Sequence, residues 1–226
     1  MIDTLLPIGL LGGLLGLDTV SFPQAMLARP LVAATCGGAL LGSPLSGLAM
    51  GAALELIAVE TLPFGASRYP EWGSASAVGG ALFAESPGHP AGAMTVALIA
   101  ALSTAWVGSW SMVKLRQANA RWATESHRGL EAGARGTVIR LQLKGMTADL
   151  VRGFILTMVA WALFAPLAKL SIAEWTLDAR ITRAITVAVA TSVAGGAAWK
   201  IFHHSLAARW LFVAGLGVGF LLLLTQ

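Results

Sequence analysis

Residues 91–113 include no charged side chain across 23 positions. At about 1.5 Å per helical residue, such a run crosses a hydrocarbon core of roughly 30 Å. The stretches 153–170, 184–199 and 206–224 are likewise long and mostly apolar, with a single charge in the first (Lys169) and the last (Arg209) and Pro166 near the far end of the first. Ahead of residue 90 the pattern changes: apolar pieces at 4–17, 30–42, 44–60 and 75–84 are each short for a span and interrupted by glycine or proline. Ser43-Pro44 predicts a helix start, with serine as cap and proline at the first helical position. That helix is expected to reach Glu60 and to stop at Leu62-Pro63. Inside a bilayer, irregular backbone is tolerated only where protein buries it or a wet cavity adjoins it. In transporters, such discontinuous helices build the substrate site. The pattern therefore predicts an all-α, polytopic membrane protein with broken or re-entrant helices in its N-terminal half, and residues 1–226 form one membrane domain.

Composition agrees. Of 226 residues, 56% are hydrophobic and 12% charged, about half the charge of a typical soluble domain. A single cysteine, Cys36, excludes an intramolecular disulfide and a cysteine metal cluster, and its small neighbours suggest a packing role. The net charge of +4 does not indicate nucleic acid, because eight of the fifteen basic residues lie between Lys114 and Arg152. The positive-inside rule places segment 114–152 in the cytoplasm. The chain then runs outside at 171–183, inside at 200–204, and ends outside. Leu141, Leu143, Met146 and Leu150 make the basic segment amphipathic in parts, suited to anionic lipid or to an acidic cytoplasmic partner. The N-terminus lacks the basic region of a cleavable signal peptide. Gly38, Gly42 and Ser46, and likewise Gly47 and Gly51, recur at the spacing that lets membrane helices approach closely.

Chemistry concentrates between residues 54 and 74, where Glu55, Glu60, Glu71, Arg68 and Tyr69 interrupt apolar sequence. An ionised carboxylate near the bilayer centre costs at least about 2.5–3.5 kcal/mol, so it faces a cavity or a partner. Asp18, Glu55 and Glu60 are such carboxylates. On one continuous helix Glu55 and Glu60 would stand roughly 140° apart, and so would not form an acid–base pair. Carboxylates, Ser67, Arg68 and the rings of Tyr69 and Trp72 suit a sugar site. They equally suit an interfacial loop, with the two rings as membrane-interface anchors and Arg68 paired to Glu71. His203-His204 ends a span, His89 sits in a turn and His127 lies in the basic segment; none has the spacing of a metal site. GxSxG, HExxH and CxxC motifs are absent, so no catalytic machinery, metal or cofactor is expected.

The elements Arg29-Pro30-Leu31-Val32-Ala33, then Gly42, Gly47 and Gly51, then Leu54-Glu55-Leu56-Ile57-Ala58 resemble the IIC membrane subunit of the mannose/sorbose class of the bacterial phosphotransferase system, most densely over residues 24–80. The resemblance implies a sugar permease subunit of the bacterial cytoplasmic (inner) membrane. Its implied partners are a IID membrane subunit, cytoplasmic IIA and IIB phosphocarrier proteins, the lipid bilayer and a hexose, which IIB phosphorylates to the 6-phosphate. Self-association stays open. The implied substrate-binding set is Gln24, Glu55, Glu60, Ser67, Arg68, Tyr69 and Glu71, with Glu55 and Glu71 accepting sugar hydrogen bonds and Glu60, Ser67 and Arg68 shaping the cavity mouth. The chain departs from the family pattern at Met26-Leu27-Ala28, Glu60, Pro63-Phe64-Gly65 and Glu71, which leaves the sugar open. An ion-coupled secondary transporter using Asp18, Glu55 and Glu60, and a vestigial membrane scaffold, are the alternatives.

Overall fold

The computed structural model describes residues 2–59, 61, 67–86, 92–175, 177–202 and 205–224, and those residues form nine helices and no strand. In chain order they are α1 (Ile2–Val20), α2 (Pro30–Leu40), α3 (Pro44–Ala58), α4 (Trp72–Ala84), α5 (Ala93–Glu125), α6 (His127–Glu131), α7 (Arg135–Ala173), α8 (Ala179–Phe202) and α9 (Leu206–Leu224). Helices α2, α3 and α4 have 11, 15 and 13 residues, or about 16–22 Å, too short to cross a bilayer alone. The broken N-terminal half is therefore real. Ser43 does occupy the N-cap of α3, but its hydroxyl shares a hydrogen bond with Ser46 Oγ (2.6 Å) instead of capping a backbone N–H. Glu60 and the Pro63-Phe64-Gly65 break lie outside the described residues.

Helices α5 and α7, with 33 and 39 residues, are long and apolar enough to cross a membrane. At about 50 and 58 Å they exceed the hydrocarbon core. Their overhanging ends, joined by α6, carry the basic segment 114–152. That segment is a helical hairpin continuous with the two spans.

The helix at the centre is α4, where every residue from Trp72 to Phe83 is buried and α1, α2, α3, α5 and α7 all pack against it. Its run of Gly, Ser and Ala makes this possible. A Cβ on Gly80 would collide with the Ala34 carbonyl of α2, and one on Gly37 with the Ala77 carbonyl of α4. The α2/α3 hairpin closes in the same way, since a Cβ on Gly38 would lie 2.7 Å from Gly47 Cα. Gly42 belongs instead to the turn, at φ +78°, with open space around it. Gly80→Ala is expected to force α2 off α4, at about 1–3 kcal/mol for an overpacked contact. Gly136→Ala meets nothing within 4 Å and serves as the neutral control. Fluorescence-detected size exclusion after graded heating checks the difference.

Candidate functional site

The site grows from the short segment that enters α4. Glu71 is the N-cap: both its carboxylate oxygens accept from the Ser74 N–H (3.3 and 3.2 Å), and its own N–H donates to the Ala105 carbonyl of α5 (3.1 Å). A side-chain acceptor there satisfies a donor that the first helical turn leaves unpaired. Next to it, Trp72 Nε1–H donates to Thr61 Oγ1 (2.7 Å), and the Thr61 hydroxyl donates to the Ala58 carbonyl (2.9 Å). The end of α3 and the start of α4 are thereby tied together. Tyr69 is buried between them, 6% exposed. The Arg116 guanidinium of α5 lies 4.8 Å from its ring centre and donates to the Ser67 carbonyl (2.7 Å). On the opposite face Arg68 donates from Nε to Ser109 Oγ (3.1 Å) and stacks 5.5 Å over Trp106.

Facing this wall is the loop 21–29, which leaves α1 and enters α2. Gln24 and Met26 both sit in the left-handed region, at φ 60° and 62°, where a residue with a Cβ is held only by its surroundings. Asp18 supplies the hold. Its buried carboxylate accepts from the Ala25 N–H (2.7 Å) on one oxygen and from the Ala28 N–H (2.9 Å) on the other. A second buried carboxylate fixes the near end of the loop: Asp149 of α7, paired with Arg152 at 2.9 Å, accepts from the Ser21 hydroxyl (3.0 Å). At the far end Arg29 forms an ion pair with Glu55 of α3. The other Glu55 oxygen accepts from the Leu31 N–H (3.1 Å) in the first turn of α2.

Wall and loop enclose a cavity of about 440 Å³, into which Asp18, Thr19, Gln24, Arg29, Thr61, Tyr69 and Trp72 converge. Two aromatic rings, two hydroxyls, an amide and a guanidinium around one space suit a small polyhydroxylated ligand, with a few polar groups fixing its orientation. Trp106 and Trp110 are exposed one turn apart on α5, with Arg68 over the first ring and Lys114 at 5.6 Å over the second. Such a pair marks a membrane–water interface. The cavity thus lies toward the basic end of the bundle.

Of the residues expected to bind substrate, Gln24 and Tyr69 line the cavity directly. Glu55 stands one step behind it, holding Arg29. Glu71 is fully buried as the cap of α4, Ser67 takes part through its carbonyl, and Arg68 lines a separate cavity on the Trp106 side. Glu60 lies outside the described residues. The interfacial pairing of Arg68 with Glu71 is not formed, because each has the other partners named above. Sequence reasoning missed Thr61, Arg116 and Asp149, and it read Asp18 as a buried carboxylate without its loop.

The family model described as "PTS system sorbose-specific IIC component" matches residues 2–224. A solved structure described as "Structure of membrane protein" is similar with a TM-score of 0.71 and 15% identity, covering 97% of this chain and 87% of the other. A cryo-EM structure of the mannose transporter ManYZ in complex with a microcin is similar with a TM-score of 0.62 and 17% identity, covering 97% and 86%. No curated protein sequence matches the chain.

Proposed function

The chain belongs to the sorbose-specific IIC family of the phosphotransferase system, and from that membership we propose that it carries a hexose across the bacterial cytoplasmic membrane together with a IID subunit. In this reading a phosphorylated IIB protein, itself charged by IIA, donates the phosphoryl group to the sugar as it leaves. The observation that carries the proposal is the cavity of about 440 Å³ between loop 21–29 and the wall before α4. Its place near the basic end suits a sugar that meets a phosphoryl donor on the cytoplasmic side.

Gln24, Arg29, Thr61 and Tyr69 meet the sugar hydroxyls, and Trp72 offers its ring to an apolar sugar face. Glu55 orients Arg29. Glu60, Ser67, Arg68 and Glu71 shape the wall. The chain's contribution is positioning: holding the hydroxyl where the donor reaches it removes much of the entropic barrier to transfer. Exposed stripes at Leu6, Leu10 and Leu14 on α1, and at Ile155, Val159, Leu163 and Leu167 on α7, supply apolar surface for lipid, for IID or for a second copy.

The test uses membranes containing this chain and its chromosomal neighbours, supplied with labelled hexoses, phosphoenolpyruvate and the general phosphotransferase proteins. Phosphoenolpyruvate-dependent sugar phosphate that disappears when this chain is deleted is the expected result. Accumulation of unmodified sugar that collapses with the proton gradient would overturn it in favour of an ion-coupled carrier.

A further inference from the structure

We propose that the overhanging ends of α5 and α7 hold a second ligand site, for a phosphate monoester, and that a hexose phosphate occupies it on the way out. The identity of the ligand as a sugar phosphate rests on the transport reading above; the anion chemistry of the site does not. Between the two helices lies a cavity of about 350 Å³, bordered by Arg116, Asn119, Trp122, Gln142 and Asp149. Val20 lines both this space and the larger cavity. The wall between them is Tyr69 with Arg116 stacked upon it. The two cavities therefore adjoin.

Charge sets the class of ligand. Arg116 touches a carbonyl and an aromatic face but pairs with no carboxylate among the described residues. A guanidinium has five N–H donors in a planar fork that matches phosphate oxygens, and most of this fork is uncommitted. Lys144, 4.0 Å over the Trp122 ring, adds positive charge beside the same space. Asp149 is the one carboxylate present, and Arg152 neutralises it through Nε and Nη2, each at 2.9 Å. With Arg152 on one oxygen and the Ser21 hydroxyl on the other, it does not repel an anion.

The neutral groups distinguish a sugar phosphate from a lipid headgroup. Asn119 Oδ1 is buried with no hydrogen-bond partner, and a buried acceptor left so is destabilising. A hydroxyl donor removes that cost. Gln142 offers a second amide, and Trp122 an aromatic wall. Amides, a carboxylate and an indole beside one arginine fit a hydroxylated ring bearing a single phosphate. Met112, Leu115, Leu141 and Met146 line the rest of the space, so it is the polar groups, and not the whole wall, that favour the sugar phosphate over a lipid.

The experiment uses the full chain in nanodiscs of neutral phosphatidylcholine and equilibrium dialysis of radiolabelled glucose 6-phosphate and mannose 6-phosphate. Saturable binding is expected, weakened at least tenfold by Arg116→Gln and by Asn119→Asp, and unchanged by Arg140→Gln, an exposed arginine on the same hairpin. Asn119→Asp keeps the shape of the side chain, so it stands as the test if Arg116→Gln fails to fold. Absence of saturable binding would overturn the site, as would an equal loss in Arg140→Gln. Displacement of the sugar phosphates by phosphatidylglycerol nanodiscs, with inorganic phosphate ineffective, would assign the space to lipid and overturn it too. Phosphoenolpyruvate-dependent phosphorylation by the assembled complex is read separately. Retained phosphorylation without binding sinks this site and leaves the transport reading intact; binding without phosphorylation does the reverse.

Discussion

Asp18→Ala is expected to lower sugar uptake at least thirtyfold while leaving the helical bundle folded. Its carboxylate is the sole described side-chain acceptor for the Ala25 and Ala28 N–H groups. Hydrogen bonds to a charged partner are worth about 1.5–3 kcal/mol each. They act against the two left-handed residues, Gln24 and Met26, each of which costs roughly 1–2 kcal/mol. Without Asp18 the balance reverses, because the loop keeps its strain and loses its anchor. Gln24 and Arg29, one on the loop and one at its end, then leave their places in the cavity. Asp18→Asn should be milder, since its carbonyl oxygen still accepts one of the two donors while its amide opposes the other. Uptake assays combined with chymotrypsin cleavage after the exposed Leu27 check the argument: cleavage should quicken in the order wild type, Asn, Ala. Uptake within threefold of wild type in Asp18→Ala would show that the loop does not form the site. The same pair of variants separates anchoring from ion coupling. A coupling carboxylate would make Asn as inactive as Ala, and would make wild-type uptake depend on the proton gradient.

Much of the architecture was legible from where charges and helix breakers fall. The short helices α2 and α3 follow from Pro30 and Ser43-Pro44, and the tight α2/α3 packing from Gly38, Gly47 and Gly51. The continuity of α5 and α7 through the basic segment was also available, because no proline occurs between Pro90 and Pro166. It was obscured by charge: a basic segment reads as a loop when only the apolar stretch is counted as helix. The central place of α4 was less accessible. Alanine, glycine and serine carry little hydrophobic signal, and their value lies in how closely Ala34 and Ala77 can approach. For the candidate site, Gln24 and Tyr69 were named beforehand and line the cavity, Tyr69 standing out as the one tyrosine in a charged stretch. Arg116 and Asp149 were not, since each is one charge within a charged segment. Nothing local to the chain says that residue 116 meets residue 67, or that residue 149 meets residue 21. Those contacts exist because antiparallel helices bring distant turns to one level, and that information belongs to the fold.

The Arg29–Glu55 pair decides whether Glu55 serves the sugar directly or through its arginine. Both side chains are only partly buried, at 37% and 23% exposure, so breaking the pair should cost less than the about 3–5 kcal/mol of a fully buried one. Arg29 lines the cavity and Glu55 holds it, while also accepting from the Leu31 N–H. Arg29→Gln is therefore expected to lower uptake by roughly thirtyfold, because it removes a cavity donor and leaves Glu55 without its cation. Glu55→Gln should lower it roughly tenfold: its amide oxygen still accepts from Leu31, but the hold on Arg29 weakens. The informative measurement is the double variant. Residues that act as one unit are not additive, whereas independent contacts multiply. If Glu55 works through Arg29, the double variant should be no worse than Arg29→Gln alone, since there is no longer an arginine to orient. If Glu55 itself accepts a sugar hydroxyl, the two losses should compound toward roughly 300-fold. Initial uptake rates at subsaturating sugar, normalised to folded protein in the membrane, distinguish the two. A compounded loss would return Glu55 to the cavity as a direct acceptor, with Arg29 turned aside to admit the sugar.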